Sequence, residues 1–201
     1  MSERETIPRR LVVGISGASG TIYGIRLLQV LQARPDVETH LVLSAAARMI
    51  LQQETAWQPA AVEALADVAY APDDLGAAIA SGSFRTLGMV IIPCSIKTLS
   101  AVAHSYAANL MARAADVTLK EGRPLLLVVR ETPLHLGHLR LMQQVAELGG
   151  IIFPPVPALY ARPQTVDDIV NHTVGQVLAR LGIENELYFQ WTGLGTMTNG
   201  K

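Results

Sequence analysis

Serine hydroxyls follow three of the apolar runs in this sequence, each at a point where a helix should begin. They are Ser19, Ser44 and Ser95, and a charged pair, Arg130–Glu131, follows a fourth apolar run. The carboxyl ends of parallel strands meet at one edge of a sheet, where ligands bind. Convergent hydroxyls, helix N-termini and an arginine suit a phosphate joined to a polar heterocycle. Each serine taken alone would indicate only an ordinary helix cap.

The first of these corners, residues 14–20 (GISGASG), combines a buried strand, a glycine turn and a helix start. Glycines allow close backbone approach to a phosphate, and a helix N-terminus attracts an anion. Gly14, Gly17 and Gly20 are spaced three apart, unlike the dinucleotide fingerprint. The spacing argues against NAD and leaves a mononucleotide or another phosphate open. The alternative is a turn that only packs a helix on the sheet.

Strand-like and helix-like segments alternate along the chain, which predicts an α/β fold with a doubly wound parallel sheet. The predicted strands span 11–17, 37–43, 68–70, 89–92, 125–129 and 151–153. The predicted helices span 21–31, 45–53, 59–66, 73–80, 95–103, 109–119, 135–148 and 165–181. Without an internal repeat or a linker, residues 1–201 are expected to form one domain, with disordered tails at 1–8 and 194–201.

The composition argues against a nucleic-acid-binding protein and against a membrane protein. The chain has 201 residues, half of them hydrophobic, and a formal net charge of −1, so neither a nucleic-acid surface nor a membrane patch is indicated. No apolar run has the length of a membrane span, and residues 1–10 lack the apolar segment of a signal peptide. Cys94 is the only cysteine, which favours a reducing cytoplasm, and we expect it to be a small buried residue.

Several motifs together resemble the UbiX flavin prenyltransferases. They are GISGASG (14–20), PCSIKTLS (93–100), RAADVTLKE (113–121), RETPLH (130–135), PPVPALY (154–160), PQTVDD (163–168) and Trp191. The resemblance covers about residues 9–193, in the family's order. It implies a three-layer Rossmann-like, flavodoxin-like fold and a homododecamer with sites at subunit interfaces. It also implies metal-independent transfer of a dimethylallyl group from dimethylallyl phosphate to FMN, which supplies prenylated FMN to a UbiD-type decarboxylase for quinone synthesis or phenolic-acid breakdown.

The resemblance also assigns roles to residues. Gly17, Ala18 and Ser19 would contact the flavin, with the Ser19 hydroxyl near N5. The rest of FMN would be held by Ser44, Ser95, Ile96, Lys97, Thr98 and Arg130. The donor phosphate would be surrounded by Arg113, Lys120, Arg130, Tyr160 and Gln176. Glu54 and Glu131 would be the nearby carboxylates, and Trp191 would help enclose the prenyl tail. Without the family, Arg113 and Lys120 would be interpreted as a solvated helix face.

Gln176 departs from the family pattern, in which an arginine or lysine follows the tyrosine by sixteen residues. A neutral amide still donates a hydrogen bond but lacks the charge-assisted part, roughly half of its strength. We therefore expect weaker binding of the prenyl donor than in relatives with a cation there.

Two other functions remain open from the sequence. An FMN-dependent decarboxylase of cysteine derivatives would need a histidine where Glu54 stands and another loop at 93–98. A non-catalytic FMN-binding or delivery protein would follow if the change at position 176 abolished donor binding. His135 and His138 have a spacing that could hold a metal but are expected to be surface or packing residues. Residues 186–190 are predicted to be a C-terminal helix.

Overall fold

The protein is described by a computed structural model over residues 9–191. The strands are β1 (Arg9–Ile15), β2 (Val37–Leu43), β3 (Val68–Tyr70), β4 (Gly88–Cys94), β5 (Leu125–Val129) and β6 (Ile151–Ile152). The helices are α1 (Thr21–Gln32), α2 (Ala45–Glu54), α3 (Pro59–Glu63), α4 (Ile96–Ala103), α5 (Leu110–Lys120), α6 (Leu136–Glu147) and α7 (Val166–Arg180).

The six strands form one parallel sheet in the order β3-β2-β1-β4-β5-β6. The chain runs outward from β1 in one direction and from β4 in the other, so the strand order reverses between them. The register that joins Gly14 to Val42 and to Ile91 brings the ends of three strands to one edge. This is the predicted doubly wound α/β fold, and the reversal point is where such sheets bind ligands.

The central strands are apolar because both of their faces are covered. Every residue of β4 and β5 is buried, as expected for strands in the middle of a parallel sheet. One face packs Val12, Ile91 and Leu127 against α5 residues such as Met111 and Ala115. The sheet edge that carries the polar strand ends is therefore fixed by a rigid core.

Three local predictions were wrong. No helix spans 73–80, because the Asp74 carboxylate accepts a hydrogen bond from the Gly76 N–H and a turn forms, followed only by a 3₁₀ turn at Ala78–Ala80. β4 does not end at Ile92 but runs through Pro93 to Cys94, which pairs with Val129. Residues 186–190 contain no helix.

The chain falls into two compact units, one up to Pro155 and one from Val156 onward. The second contains α7, which begins with a capping box between Thr165 and Asp168. The single domain expected for 1–201 stays a prediction, and the tails expected to be disordered lie outside the described residues. Between residues 9 and 191, no helix is long and apolar enough to cross a bilayer.

Candidate active site

A cavity of about 460 Å³ opens at the reversal point of the sheet. That volume lies within the range of pockets that hold small ligands, about 300–1,000 Å³. Its walls are formed by Gly17, Val42, Ser44, Ala45, Ala46, Pro72, Ser95, Ile96, Lys97, Thr98, Asn109, Met111 and Glu131. Seven of the residues assigned from the sequence are among them, so the structure brings the predicted strand-end corners together.

Two helices begin at this cavity, and a serine caps each one. The Ser44 hydroxyl accepts a hydrogen bond from the Ala47 N–H at the start of α2. The Ser95 hydroxyl accepts from the Thr98 N–H at the start of α4 and contacts the Thr98 hydroxyl at 3.2 Å. Each cap uses a lone pair of the serine oxygen. Two helix N-termini, hydroxyl protons and the Lys97 ammonium therefore favour an anion in this cavity.

Ser16 is a structural residue of the site that sequence reasoning missed. Its buried hydroxyl donates to the Pro93 carbonyl at 2.9 Å and accepts from the Ser95 N–H at 2.8 Å. It thus joins the end of β1 to the end of β4. A polar residue closing an apolar run was the only signal for it in the sequence. Asn109 and Met111, which also line the cavity, were predicted only as parts of a helix.

The Gly17–Gly20 loop has a different partner. The Glu54 carboxylate, at the end of α2, accepts from the Gly20 N–H at 2.9 Å and from the Thr21 N–H at 3.4 Å. The Ser19 side chain also lowers the pKa of this carboxylate. Burial opposes ionisation, but these hydrogen bonds hold the pKa of Glu54 below its ordinary value. An internal carboxylate therefore occupies the N-terminus of α1, where the sequence alone left a phosphate open.

Close packing fixes this loop against α2. A Cβ at Gly17 would lie 2.4 Å from Cβ of Ala46, so a larger residue would push the loop off the helix. Ala18 is buried, and Gly20 adopts a left-handed conformation with φ of 98°. The backbone therefore presents Ser19 in one position beside Glu54.

Arg130 and Glu131 follow β5 at the same edge. The Arg130 N–H donates to the Cys94 carbonyl, which ties the end of β5 to the end of β4. Burial raises the pKa of Tyr23 on α1, and the nearby charge of Arg130 opposes that rise. Glu131 lines the cavity and accepts a hydrogen bond from the Thr132 N–H at 3.0 Å. A cation and a carboxylate are thus held at the carboxyl end of β5.

Arg113 and Lys120 lie apart from the cavity. Arg113 donates from Nε to the Ala80 carbonyl, and Lys120 pairs with Glu121, whose carboxylate lies against Gly82. Lys120 is eleven residues beyond Asn109, which at the helical rise is about 16 Å along α5. Within one chain, Lys120 therefore does not share a cavity with the serine-capped helices.

The second unit holds an aromatic cluster. The Tyr160 ring meets the Trp191 ring at 6.0 Å between centroids and the Phe189 ring at 6.3 Å. The Tyr160 hydroxyl lies 3.3 Å from Nε2 of His172 on α7. Gln176 lies one turn further along α7 and is half-buried. In this part of the structure the rings of Tyr160 and Trp191 are in contact, and His172, which sequence reasoning did not single out, contacts Tyr160.

The remaining candidates have structural roles. Cys94 is fully buried, and burial raises the pKa of its thiol, as befits a packing residue. His135 caps α6 by accepting at Nδ1 from the Gly137 and His138 N–H groups, and its ring lies against that of His138. In the described part of the chain, no group of three or more His, Cys, Asp or Glu side chains is arranged to hold a metal ion.

Comparisons with known proteins all identify flavoproteins as similar to this chain. The flavoprotein family model matches residues 1–178. The flavin prenyltransferase UbiX of Escherichia coli K12 is 61% identical over 187 residues, covering 92% of this chain and 99% of that protein. A dodecameric FMN-dependent UbiX-like decarboxylase from Escherichia coli O157:H7 superimposes with a TM-score of 0.90 at 49% identity, covering 92% of this chain and 100% of that one. AnUbiX, solved with FMN and dimethylallyl pyrophosphate, has a TM-score of 0.90 at 43% identity, covering 93% and 99%.

Proposed function

This chain belongs to the UbiX family of flavin prenyltransferases, and we propose from that membership how its residues divide the reaction. The chain is a transferase that joins the dimethylallyl group of dimethylallyl phosphate to N5 and C6 of reduced FMN, giving prenylated FMN. When bound, reduced FMN supplies the electron-rich atoms that accept the prenyl carbons. Side chains of this protein bind and orient the two substrates, stabilise the charge that develops and transfer the proton.

The serine-capped cavity fits FMN. Ser44, Ser95, Lys97 and Thr98 offer hydroxyl and ammonium donors to its phosphate, and Ile96, Val42 and Met111 offer apolar surface to a flat ring. Gly17 and Ala18 bring backbone close to the same cavity, and Arg130 adds a cation at its edge. This donor set matches a phosphate attached to a heterocycle, which is what the strand ends predicted.

Ser19 is proposed to act at the reacting edge of the flavin. The observation that carries this assignment is that the Glu54 carboxylate accepts hydrogen bonds from the Gly20 and Thr21 N–H groups, directly beside Ser19. The Glu54 carboxylate already accepts the hydrogen bonds at the N-terminus of α1, so the Gly17–Gly20 loop is not proposed to bind the FMN phosphate. Ser19 can therefore orient its hydroxyl towards N5, and Glu54, ionised at neutral pH, can accept a proton through it. Glu131 is the second carboxylate that could take the proton released on ring closure.

The donor phosphate is proposed to bind Arg113, Lys120, Arg130, Tyr160 and Gln176. Cations lower the barrier to ionising an allylic phosphate, because they stabilise the charge on the departing group. The aromatic faces of Tyr160 and Trp191 can stabilise an allylic cation and exclude water from it. The orthogonal contact between these two rings, at 77°, supports a shared apolar wall for the prenyl tail.

The complete site is proposed to need more than one copy of the chain. Lys120 is too far along α5 to share the cavity that Asn109 lines, so the Lys120 of one copy would serve the flavin of a neighbour. Arg113 is not among the residues that line this cavity and is proposed to act with Lys120 in the neighbour's site. The dodecameric assembly of the relative from Escherichia coli O157:H7 supports this arrangement. We propose a homododecamer in the cytoplasm that delivers prenylated FMN to a UbiD-type decarboxylase.

The decisive experiment mixes the protein, reduced FMN and dimethylallyl phosphate without oxygen and analyses the flavin by mass spectrometry. A flavin heavier by the prenyl unit is expected. Unchanged FMN beside a competent prenyltransferase control would instead favour a non-catalytic FMN-binding or delivery protein. Decarboxylation of a cysteine peptide would favour the alternative enzyme class.

A further inference from the structure

Helix α7 carries a buried histidine, His172, on the same face as Gln176, which stands where the family has an arginine or lysine. His172 precedes Gln176 by four residues, so the two side chains lie on one face of the helix, one turn apart. His172 is 6% exposed, whereas Tyr160 is 45% exposed. Nε2 of His172 lies 3.3 Å from the Tyr160 hydroxyl oxygen, with the rings edge to face at 5.7 Å. The roles proposed above make no use of this histidine.

The surroundings of His172 keep it neutral in the free protein. The Tyr188 ring packs edge-on against it at 5.9 Å. Asp168, one turn earlier on α7, and Arg162 line a cavity of about 340 Å³ together with His172 and Asn171. Burial lowers the pKa of His172, so the ring is mainly uncharged near pH 7.

The number of available protons then determines which group donates the hydrogen bond between His172 and Tyr160. A tyrosine hydroxyl has one proton, and a phosphate dianion can only accept hydrogen bonds. If the Tyr160 hydroxyl donates to the phosphate, its oxygen can only accept from His172. The Nε2 atom must then carry a proton, either in the neutral Nε2–H tautomer or in the imidazolium.

We propose that His172 is a positioning residue for the prenyl donor: its Nε2–H holds the Tyr160 hydroxyl so that the hydroxyl proton points at the donor phosphate. This rests on the proposed function, because it takes Tyr160 as a ligand of that phosphate. An imidazolium would also add a positive charge one turn from Gln176. A bound phosphate dianion therefore favours protonation of His172, and by linkage protonation strengthens donor binding.

Titration of donor binding in a double-mutant cycle tests the proposal. Dimethylallyl phosphate is titrated calorimetrically into protein loaded with oxidised FMN, at about pH 7.5 and about pH 6. Loss of one hydrogen bond predicts that His172→Leu raises the donor dissociation constant about 5- to 10-fold at the higher pH, while FMN affinity is unchanged. Tyr160→Phe should have a similar effect, and the double variant should be no weaker than Tyr160→Phe alone.

The conservative variant separates hydrogen bonding from charge. His172→Gln keeps an N–H near the position of Nε2, so donor affinity at pH 7.5 should stay within about 2-fold of the wild type. The glutamine side chain cannot gain a proton, so donor binding by His172→Gln should lose the part of its pH dependence that His172 causes. The phosphate's own titration is common to all variants and cancels in the comparison.

Either of two results with the variants would overturn the proposal. One is a His172→Leu effect that persists in full in the Tyr160→Phe background, since this would mean a structural role. The other is a His172→Gln protein whose donor binding has the same pH dependence as that of the wild type. This result contradicts the proposal even if His172→Leu does not fold. A wild-type protein that binds the donor but leaves FMN unchanged in the turnover assay refutes the proposed function alone. A wild type that binds no donor refutes both.

Discussion

At the scale of single residues, the hydrogen bonds from Gly20 and Thr21 to Glu54 change the interpretation of the glycine loop. A glycine turn before a helix normally offers free N–H groups to an anion. Here the anion comes from the chain itself, from a glutamate that is 34 residues distant in sequence from Gly20. No local pattern could predict this pairing, because it depends on how α2 packs against the loop. The convergence of the strand-end serines on one cavity was predictable from the sequence, but the hydrogen bonds between Glu54 and this loop were not.

Glu54→Gln should slow prenyl transfer far more than it weakens FMN binding. The amide can keep a hydrogen bond to the loop but cannot accept a proton, and loss of a general base costs about 10²-fold or more. Single-turnover rates of prenylation, measured beside the dissociation constant of FMN, provide the check. Glu147→Gln, which changes an exposed carboxylate on α6, is the matched control. A Glu54→Gln rate equal to the wild type would remove Glu54 from the reaction.

At the scale of elements, sequence pattern located most helices and strands because their signals are local. Ser44, Ser95, Asn109 and Thr165 cap the helices that they were expected to begin. The errors arose where a side chain competed with the backbone, as Asp74 does in the turn that replaces the 73–80 helix. The meeting of Val42, Pro72 and Met111 in one cavity depends on packing, so no single segment revealed it.

Helix α7 gives a prediction at this scale. Gln176→Arg should tighten donor binding by about 3- to 10-fold, because a guanidinium adds a charge-assisted bond to phosphate. FMN affinity should not change, since the flavin is proposed to bind at the serine-capped cavity. The measurement is the dissociation constant of dimethylallyl phosphate for each protein, with Arg180→Gln at the exposed end of α7 as a control for net charge. If Gln176→Arg brings no gain, position 176 is not at the donor phosphate.

At the scale of the whole molecule, a buried polar cluster makes stability depend on pH. His40 on β2 is 2% exposed, contacts the Tyr70 hydroxyl at 3.0 Å and packs against the Phe84 ring. Glu38 lies 2.9 Å from its Nε2, close but not aligned as a hydrogen bond. Burial lowers the pKa of His40, although Glu38 opposes this. The unfolded chain therefore binds more protons than the folded one as the pH falls below about 6.5.

We therefore expect thermal stability to be greatest above that pH and to fall as the pH drops below it, by roughly 2–4 °C for each kcal/mol lost. His40→Phe should reduce this slope, and a smaller slope should remain because burial also lowers the pKa of His172. Thermal midpoints at several pH values give the measurement, with His104→Gln, an exposed histidine, as the control. Equal slopes in His40→Phe and the wild type would exclude His40 as the cause.

Assembly gives a second prediction at this scale. Ser19→Ala and Lys120→Ala should each lower activity about 10-fold or more, yet a mixed assembly of the two should recover part of the activity if one site draws on two copies. Random mixing in equal amounts leaves about a quarter of the sites with both residues intact. Co-expression with two different affinity tags and turnover by the doubly purified species gives the measurement. No recovery in a verified mixed assembly would mean that Lys120 does not act in a neighbour's site.

The central claim is that the Gly17–Gly20 loop serves the reacting edge of the flavin, while the serine-capped helices hold its phosphate. The most direct test measures both FMN affinity and single-turnover prenylation in Ser19→Ala and Ser95→Ala. We expect Ser19→Ala to slow transfer about 10-fold or more with FMN affinity nearly unchanged, and Ser95→Ala to weaken FMN binding with little change in rate at saturating FMN. Collapse of flavin binding in Ser19→Ala, with transfer unimpaired in whatever flavin remains, would contradict the account and make the loop the phosphate site.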